Sequence, residues 1–196
     1  LINPRLIPMA CTPLALAAQK ADPACVAALI QARAQVDQHV DNSGVTALFF
    51  ACLTGADDCA SLLIHASASV QCPSQHHSGP LSASCRGGHA KCAELLLDAS
   101  ASANDRDLAG WYPGFTPLHH ACNWSRNRDD HGYFSQTDRD KPAYAGHEDC
   151  VRLLVAARAV LNRRDQYDGG LGLVGGTPLH WAAASGHVGI VRALVE

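Results

Sequence analysis

The chain has no apolar run near the ~18 residues that a membrane helix needs. It contains no Gly-x-Ser-x-Gly elbow, no phosphate loop and no His-Glu-x-x-His. Serine hydrolysis, nucleotide binding by a P-loop and zinc proteolysis therefore have no motif to rest on. Charge of one sign is also missing. Lys and Arg number 15 against 18 Asp and Glu, a net charge of −3, which excludes a nucleic-acid backbone as the main partner. The first nine residues hold Pro4, Arg5 and Pro8 and lack the apolar centre of a secretion signal. None of the nine cysteines forms a Cys-x-x-Cys pair, which weakens any zinc reading. Asp129, Asp130, Asp138 and Asp140 lack the calcium-loop pattern with a distal Glu. No cofactor is expected, and the chain is not expected to be an enzyme.

What the chain does have is a phrase repeated five times. It reads Thr12-Pro13-Leu14-Ala15-Leu16-Ala17-Ala18, Thr46-Ala47-Leu48-Phe49-Phe50-Ala51-Cys52, Gly79-Pro80-Leu81-Ser82-Ala83-Ser84-Cys85, Thr116-Pro117-Leu118-His119-His120-Ala121-Cys122 and Thr177-Pro178-Leu179-His180-Trp181-Ala182-Ala183. The first three copies start 34 and then 33 residues apart. A fixed period in this range predicts stacked units that bury a core between neighbours. Apolar residues make up 47% of the chain and charged residues 17%, enough to form that core.

Within each unit the signals predict two helices. Threonine is a good N-cap, and proline at the next position costs nothing because its missing N–H has no helical partner there. Leu48, Ala51 and Cys52 recur at i, i+3 and i+4, and Cys59, Leu62 and Leu63 repeat that spacing after Gly55. Polar turns such as Asp41-Asn42-Ser43-Gly44 separate the units. Cys25, Cys59, Cys92 and Cys150 each lie 12 residues before Asp37, Gln71, Asn104 and Asn162. Cys52, Cys85 and Cys122 share the last slot of the phrase. Such repeat-locked cysteines are expected to be reduced, buried fillers, which points to a reducing compartment.

This pattern resembles the ankyrin repeat. The resemblance is fullest at Gly175-Gly176-Thr177-Pro178-Leu179-His180-Trp181-Ala182-Ala183-Ala184-Ser185-Gly186-His187, and Gly88-His89 and Gly146-His147 match its middle turn. It implies an all-α solenoid of helix-turn-helix units with β-turn fingers along one edge. The expected arrangement is one array over 1–196, with repeats near 8–40, 41–73, 74–106, 107–165 and 166–196, the last truncated. His119 and His180 take the family's structural histidine slot, and His89, His147 and His187 the Gly-His turn. The family's glycine after the second helix is replaced here by Arg33, Ser67, Ser100 and Arg158. If the left-handed conformation is kept, each replacement costs ~1 kcal/mol. The third repeat is the least regular, with Gly79 for the threonine and Ser82 for the histidine. Ile190, Val191, Leu194 and Val195 lack the polar face of a terminal repeat, so a longer array is expected.

The fourth repeat is interrupted. Its middle glycine falls 30 residues after Thr116 rather than nine, which places a 21-residue insert at about Ser125–Ala145. Longer turns also precede repeats four and five. Nine of the eleven aromatics lie at or beyond Trp111. Aromatics and arginine dominate binding hot spots, and insertions in repeat proteins gather on the binding face. The candidate partner-binding residues are therefore Trp111, Tyr112, Phe115, His120, Trp124, Arg126, Arg128, Tyr133, Phe134 and Tyr144, with Arg86 and Leu53 from earlier repeats. The opposing reading is that these rings pack the longer loops down, as Trp181 is expected to pack between repeats. By the resemblance, exposed slots include Asn42, Ser43, Val45, Leu53 and Thr54, and Gln75, His76, Ser78, Arg86 and Gly87.

The leading expectation is a monomeric, intracellular protein-binding module, cytoplasmic or nuclear, that holds another protein on its finger turns, its concave first-helix face and the repeat-four insert, with no role at a membrane. The alternative is a structural spacer or targeting arm for an attached catalytic or ubiquitin-ligase-recruiting domain. A small-ligand or metal-responsive module would need convergent ligands in the insert, and none is visible there.

Overall fold

The computed structural model describes residues 11–40, 44–71, 78–107, 112–123, 144–166 and 175–196. Ten helices occupy them: α1 (Pro13–Gln19), α2 (Pro23–Gln31), α3 (Ala47–Thr54), α4 (Asp57–His65), α5 (Pro80–Gly87), α6 (Ala90–Asp98), α7 (Pro117–Cys122), α8 (Tyr144–Ala156), α9 (Pro178–Ala184) and α10 (Val188–Val195). No strand occurs among the described residues. Odd-numbered helices pack on one another in one layer and even-numbered helices in a second, while each consecutive pair forms a hairpin. This is the all-helical repeat solenoid that the spacing implies.

The phrase folds as its chemistry dictates. Thr12, Thr46 and Thr116 accept the backbone N–H of Ala15, Phe49 and His119 through their hydroxyls, at 3.1, 3.4 and 3.4 Å. Each bond satisfies a first-turn amide that has no helical acceptor. Leu14, Leu48, Leu81 and Leu118 then point into the core, joined from the second helices by Val26, Leu63, Leu96 and Leu154.

Two devices lock neighbouring repeats together. His89 donates from Nε2 to the Leu53 carbonyl at 3.2 Å, and His147 to the Arg86 carbonyl at 3.1 Å. Each imidazole lies against the left-handed glycine of the preceding repeat, so a Cβ on Gly55 or Gly88 would meet the ring at 2.4 or 2.5 Å. That close approach is why the middle turn takes glycine. On the other edge, Asp37 accepts from the Ser69 amide at 2.8 Å and Asn104 from the Val160 amide at 2.8 Å. The residues 12 positions after the aligned cysteines thus join one repeat to the next.

Arg33, Ser67, Ser100 and Arg158 keep the left-handed conformation without being glycine, with φ of 60°, 66°, 67° and 60°. Each sits where a helix C-terminus calls for it, and each carries the strain of a Cβ near its own carbonyl.

Three expectations are corrected. Helix α8 starts at Tyr144, so Tyr144 and Ala145 belong to the helix and not to the insert. Gly146 lies within that helix instead of forming a left-handed turn; its Cβ position is 2.1 Å from the Gly88 carbonyl oxygen, an approach only glycine allows. The third correction is Cys25, which is exposed. Its aligned partners Cys92 and Cys150 face Cys52 and Cys85 of the preceding repeat. Among the described residues no helix pair precedes α2, so the slot opens outward. Cys52, Cys59, Cys85, Cys92, Cys122 and Cys150 are buried, and all eight described cysteines are free thiols.

Candidate partner-binding surface

The turn that leads into the fourth repeat is longer than the one into the second. Val40 N–H bonds the Val45 carbonyl at 2.8 Å, whereas Asp107 N–H bonds the Phe115 carbonyl at 2.8 Å. The turn into the fifth repeat is longer again, closed by Asp165 N–H on the Gly176 carbonyl at 3.0 Å. The tips of all three lie outside the described residues.

Aromatic rings hold the base of the second of these turns. Phe115 has no exposed surface and contacts Tyr112, His119, His120 and Trp181, with ring centroids 5.0–5.4 Å apart. Tyr112 lies half-buried above it, edge-on to His120 at 5.5 Å. The Asp107 carboxylate sits beneath and accepts from His120 Nε2 at 2.7 Å and from the Ser78 hydroxyl at 2.6 Å. All of Asp107 but 4% is covered. One carboxylate therefore ties the turn before repeat three, the turn before repeat four and helix α7 into a single unit. The pattern recurs one repeat later, where Trp181 Nε1 donates to the buried Asp165 carboxylate.

His119 supports the same region from the other side. The Thr116 amide donates to its Nδ1 at 3.2 Å, and its Nε2 donates to the Gly176 carbonyl at 3.3 Å. Burial pushes its pKa down to about 4, because the charged imidazole would lose its hydration. Burial likewise holds the Cys52, Cys85 and Cys122 thiols well above their usual range. Thiols kept protonated are neither nucleophiles nor metal ligands. Among the described residues no group of three or more His, Cys, Asp or Glu converges.

The structure sorts the sequence candidates. Phe115, His120 and Leu53 are buried, at 0%, 2% and 6% exposure, and are corrected from surface to interior positions. Phe115 fills the space between α7 and α9, His120 is held by Asp107, and Leu53 belongs to the α3 core face. Tyr112 and Arg86 are half-buried. Trp111, Trp124, Arg126, Arg128, Tyr133 and Phe134 lie outside the described residues, as does the side chain of Tyr144. Of the slots expected to be exposed, Thr54 is, whereas Val45, Ser78 and Gly87 are half-buried; Asn42, Ser43, Gln75 and His76 are outside the described residues. Sequence reasoning passed over Asp107 and Asp165. Their signal was the acidic residue that opens each lengthened turn, facing a ring-bearing residue in the slot after the repeat histidine.

A family model described as ankyrin repeats (3 copies) matches residues 3–74, and a second, described as ankyrin repeats (many copies), matches residues 141–195. The chain belongs to the ankyrin repeat family. A search of curated proteins found no match. Ankyrin repeats are generally protein–protein interaction modules and are typically non-catalytic. Among the described residues no helix is long and apolar enough to cross a membrane.

Proposed function

We propose that this ankyrin array captures a partner protein with the lengthened turns of repeats four and five and with the insert of repeat four. The observation that supports this most is the buried Asp107 carboxylate bonded to His120 and Ser78. A base fixed on both sides lowers the ordering cost of association for the residues that stand on it. Tyr112 stands on that base with part of its ring open, and Trp111 is next to it in sequence. The buried, uncharged thiols favour a reducing compartment as the place of work.

The test is capture of a partner from a lysate by the intact chain and by a chain lacking residues 125–143. The deletion ends before α8, so the helical spectrum stays at its starting strength while capture weakens. Trp111→Ala and Tyr112→Ala each lower affinity for the captured partner by about 1–3 kcal/mol. Unchanged affinity in all three variants would move the binding face to the first two repeats.

A further inference from the structure

The fifth repeat carries the groups with which earlier repeats join their successors, but its own stand open. Helices α1, α3, α5 and α7 each pack on the first helix of the next unit. Their residues Leu14, Leu48, Leu81 and Leu118 are at most 4% exposed, whereas Leu179 of α9 is 38% exposed. Cys52, Cys85 and Cys122 are buried, and Ala183 in the same slot is exposed. Ala60, Ala93 and Val151 are buried, and Val191 of α10 is only half-buried. The polar groups follow the same rule. His119 donates from Nε2 to the Gly176 carbonyl of the next turn. His180 is oriented alike, by the Thr177 amide on its Nδ1 at 3.3 Å, and is exposed. Asn104 accepts from the Val160 amide and donates to the Arg158 carbonyl, while its counterpart Asn162 is exposed. Apolar and oriented polar groups in this register fit the surface of another repeat unit.

The same chain carries such a surface. Cys25 and Ala28 of α2 are exposed. The aligned Cys59, Cys92 and Cys150 are buried, and Leu62, Leu95 and Leu153 are half-buried. Helix α2 has no charged residue from Pro23 to Gln31. Cys25 occupies the slot from which Cys92 and Cys150 meet Cys52 and Cys85 of the preceding repeat, so its match is Ala183. The Gln35 amide and the Arg33 carbonyl are the counterparts of the Val160 amide and the Arg158 carbonyl, so they match Asn162. One group is missing. A Cβ on Gly186 would have nothing within 4 Å, where Gly55 and Gly88 meet His89 and His147, and repeat one brings Asp22 to that slot. The junction of repeats one and two also lacks the imidazole, with Ala56 in its place, and is closed all the same.

We propose that copies of this chain stack head to tail, the α9–α10 face of one on the α1–α2 face of the next. The contact is heterologous, so it extends into open stacks and does not close at a dimer. It does not depend on the capture reading above, because the lengthened turns take no part in it.

Sedimentation velocity of the full chain tests this, with reductant present so that Cys25 cannot cross-link. The average mass is expected to rise with concentration, through dimers to longer stacks. Ala183→Lys and Cys25→Lys change exposed residues that meet across the junction. Each is expected to weaken self-association about tenfold, because a charge enters an apolar contact. Circular dichroism confirms that both variants are folded. An equimolar mixture of the two has one intact pair of faces and is expected to form a dimer and nothing larger. Asp22→His supplies the missing imidazole to the Ala184 carbonyl, as His89 supplies the Leu53 carbonyl. It is expected to tighten association about fivefold, the worth of one net hydrogen bond. A chain that stays monomeric at every concentration overturns the proposal. Self-association that only one lysine variant weakens, or a mixture that stays monomeric, overturns the head-to-tail arrangement. No tightening in Asp22→His overturns the register of the junction.

Discussion

Helix α5 of the third repeat and helix α7 of the fourth begin with the same Pro-Leu pair and occupy adjacent places in one layer. Around α7, Thr116 caps the helix, His119 reaches the next turn, and His120 grips Asp107. Around α5 the cap is glycine, the histidine is serine, and a cleft lined by Gly79, Leu81 and Ser82 lies alongside. The stack passes through both without a break, because Leu81 and Leu118 are buried alike. The apolar positions carry the fold, while the polar positions decide which unit is braced and which is left open. The family models match residues 3–74 and 141–195, and the stretch between them contains both of these helices.

The strongest way to break the comparison is to remove the ring that braces repeat four. Phe115→Ala is expected to cost about 3–5 kcal/mol, since the ring is fully enclosed between α7 and α9. A urea titration reads this. A loss under 1 kcal/mol would show that the lengthened turn is held by its backbone bonds alone.

Acid should weaken repeat four selectively. His119 has an unfolded pKa of 6.5 and a folded value of about 4. Its folded pKa is depressed, so its contribution to stability is complete above pH 6.5. As pH falls toward 4 the unfolded chain takes up a proton that the folded chain refuses, and stability declines by up to about 3 kcal/mol. Urea midpoints at pH 7 and pH 4.5 measure the slope, and His119→Gln should flatten it. Repeat three, with Ser82 in that slot, has nothing to titrate there. An equal slope in the variant would place the acid sensitivity on other groups.

A smaller effect runs the other way. Gly79→Thr gives α5 the cap that α1, α3 and α7 possess and is expected to add about 1 kcal/mol. The φ of −72° at Gly79 suits threonine without strain. Hydrogen exchange at Ser82 and Ala83 should slow toward the rates of Phe49 and Phe50. No slowing would mean that the open cleft, and not the missing cap, sets the mobility of repeat three.

Much of this was legible in the sequence, and the reasons divide by chemistry. The helices follow from Thr-Pro-Leu and the i, i+3, i+4 leucines, because capping and amphipathic spacing are local. The left-handed residues at Arg33, Ser67, Ser100 and Arg158 followed from register with the repeat. The site was less legible. Phe115 and His120 resemble surface hot spots in a list of aromatics, and only packing against Trp181 and Asp107 reveals them as braces. Those contacts join residues up to 66 positions apart, which no local pattern encodes. The start of α8 at Tyr144 was missed because the family spacing places the turn at Gly146, while the helix here runs through it. The defect at Gly79 and Ser82 was visible as a loss of stability, but the cleft beside it is lined also by Arg106 and Arg163 from later turns, which no local pattern brings together.

The smallest effect serves as the control. Ser100 and Arg158 occupy the same left-handed position at the ends of α6 and α8, with φ of 67° and 60°. Their backbone carbonyls take equivalent inter-repeat bonds, from Gln71 Nε2 at 3.3 Å and Asn104 Nδ2 at 3.4 Å. Glycine at either position keeps those carbonyls and removes the Cβ strain of about 1–2 kcal/mol. It also frees the unfolded chain, which offsets about 0.5–1 kcal/mol. Ser100→Gly and Arg158→Gly are thus each expected to stabilise by about 0.5 kcal/mol, and by the same amount in repeats three and four. Thermal melts of the two single variants and the double variant measure this, and the two sites are expected to add. Equal gains would confine the difference between the repeats to the first helix and its cleft. A gain in Ser100→Gly alone would show that repeat three is strained at its second helix as well, and that the contrast between α5 and α7 is only part of why one unit is braced and the other is open.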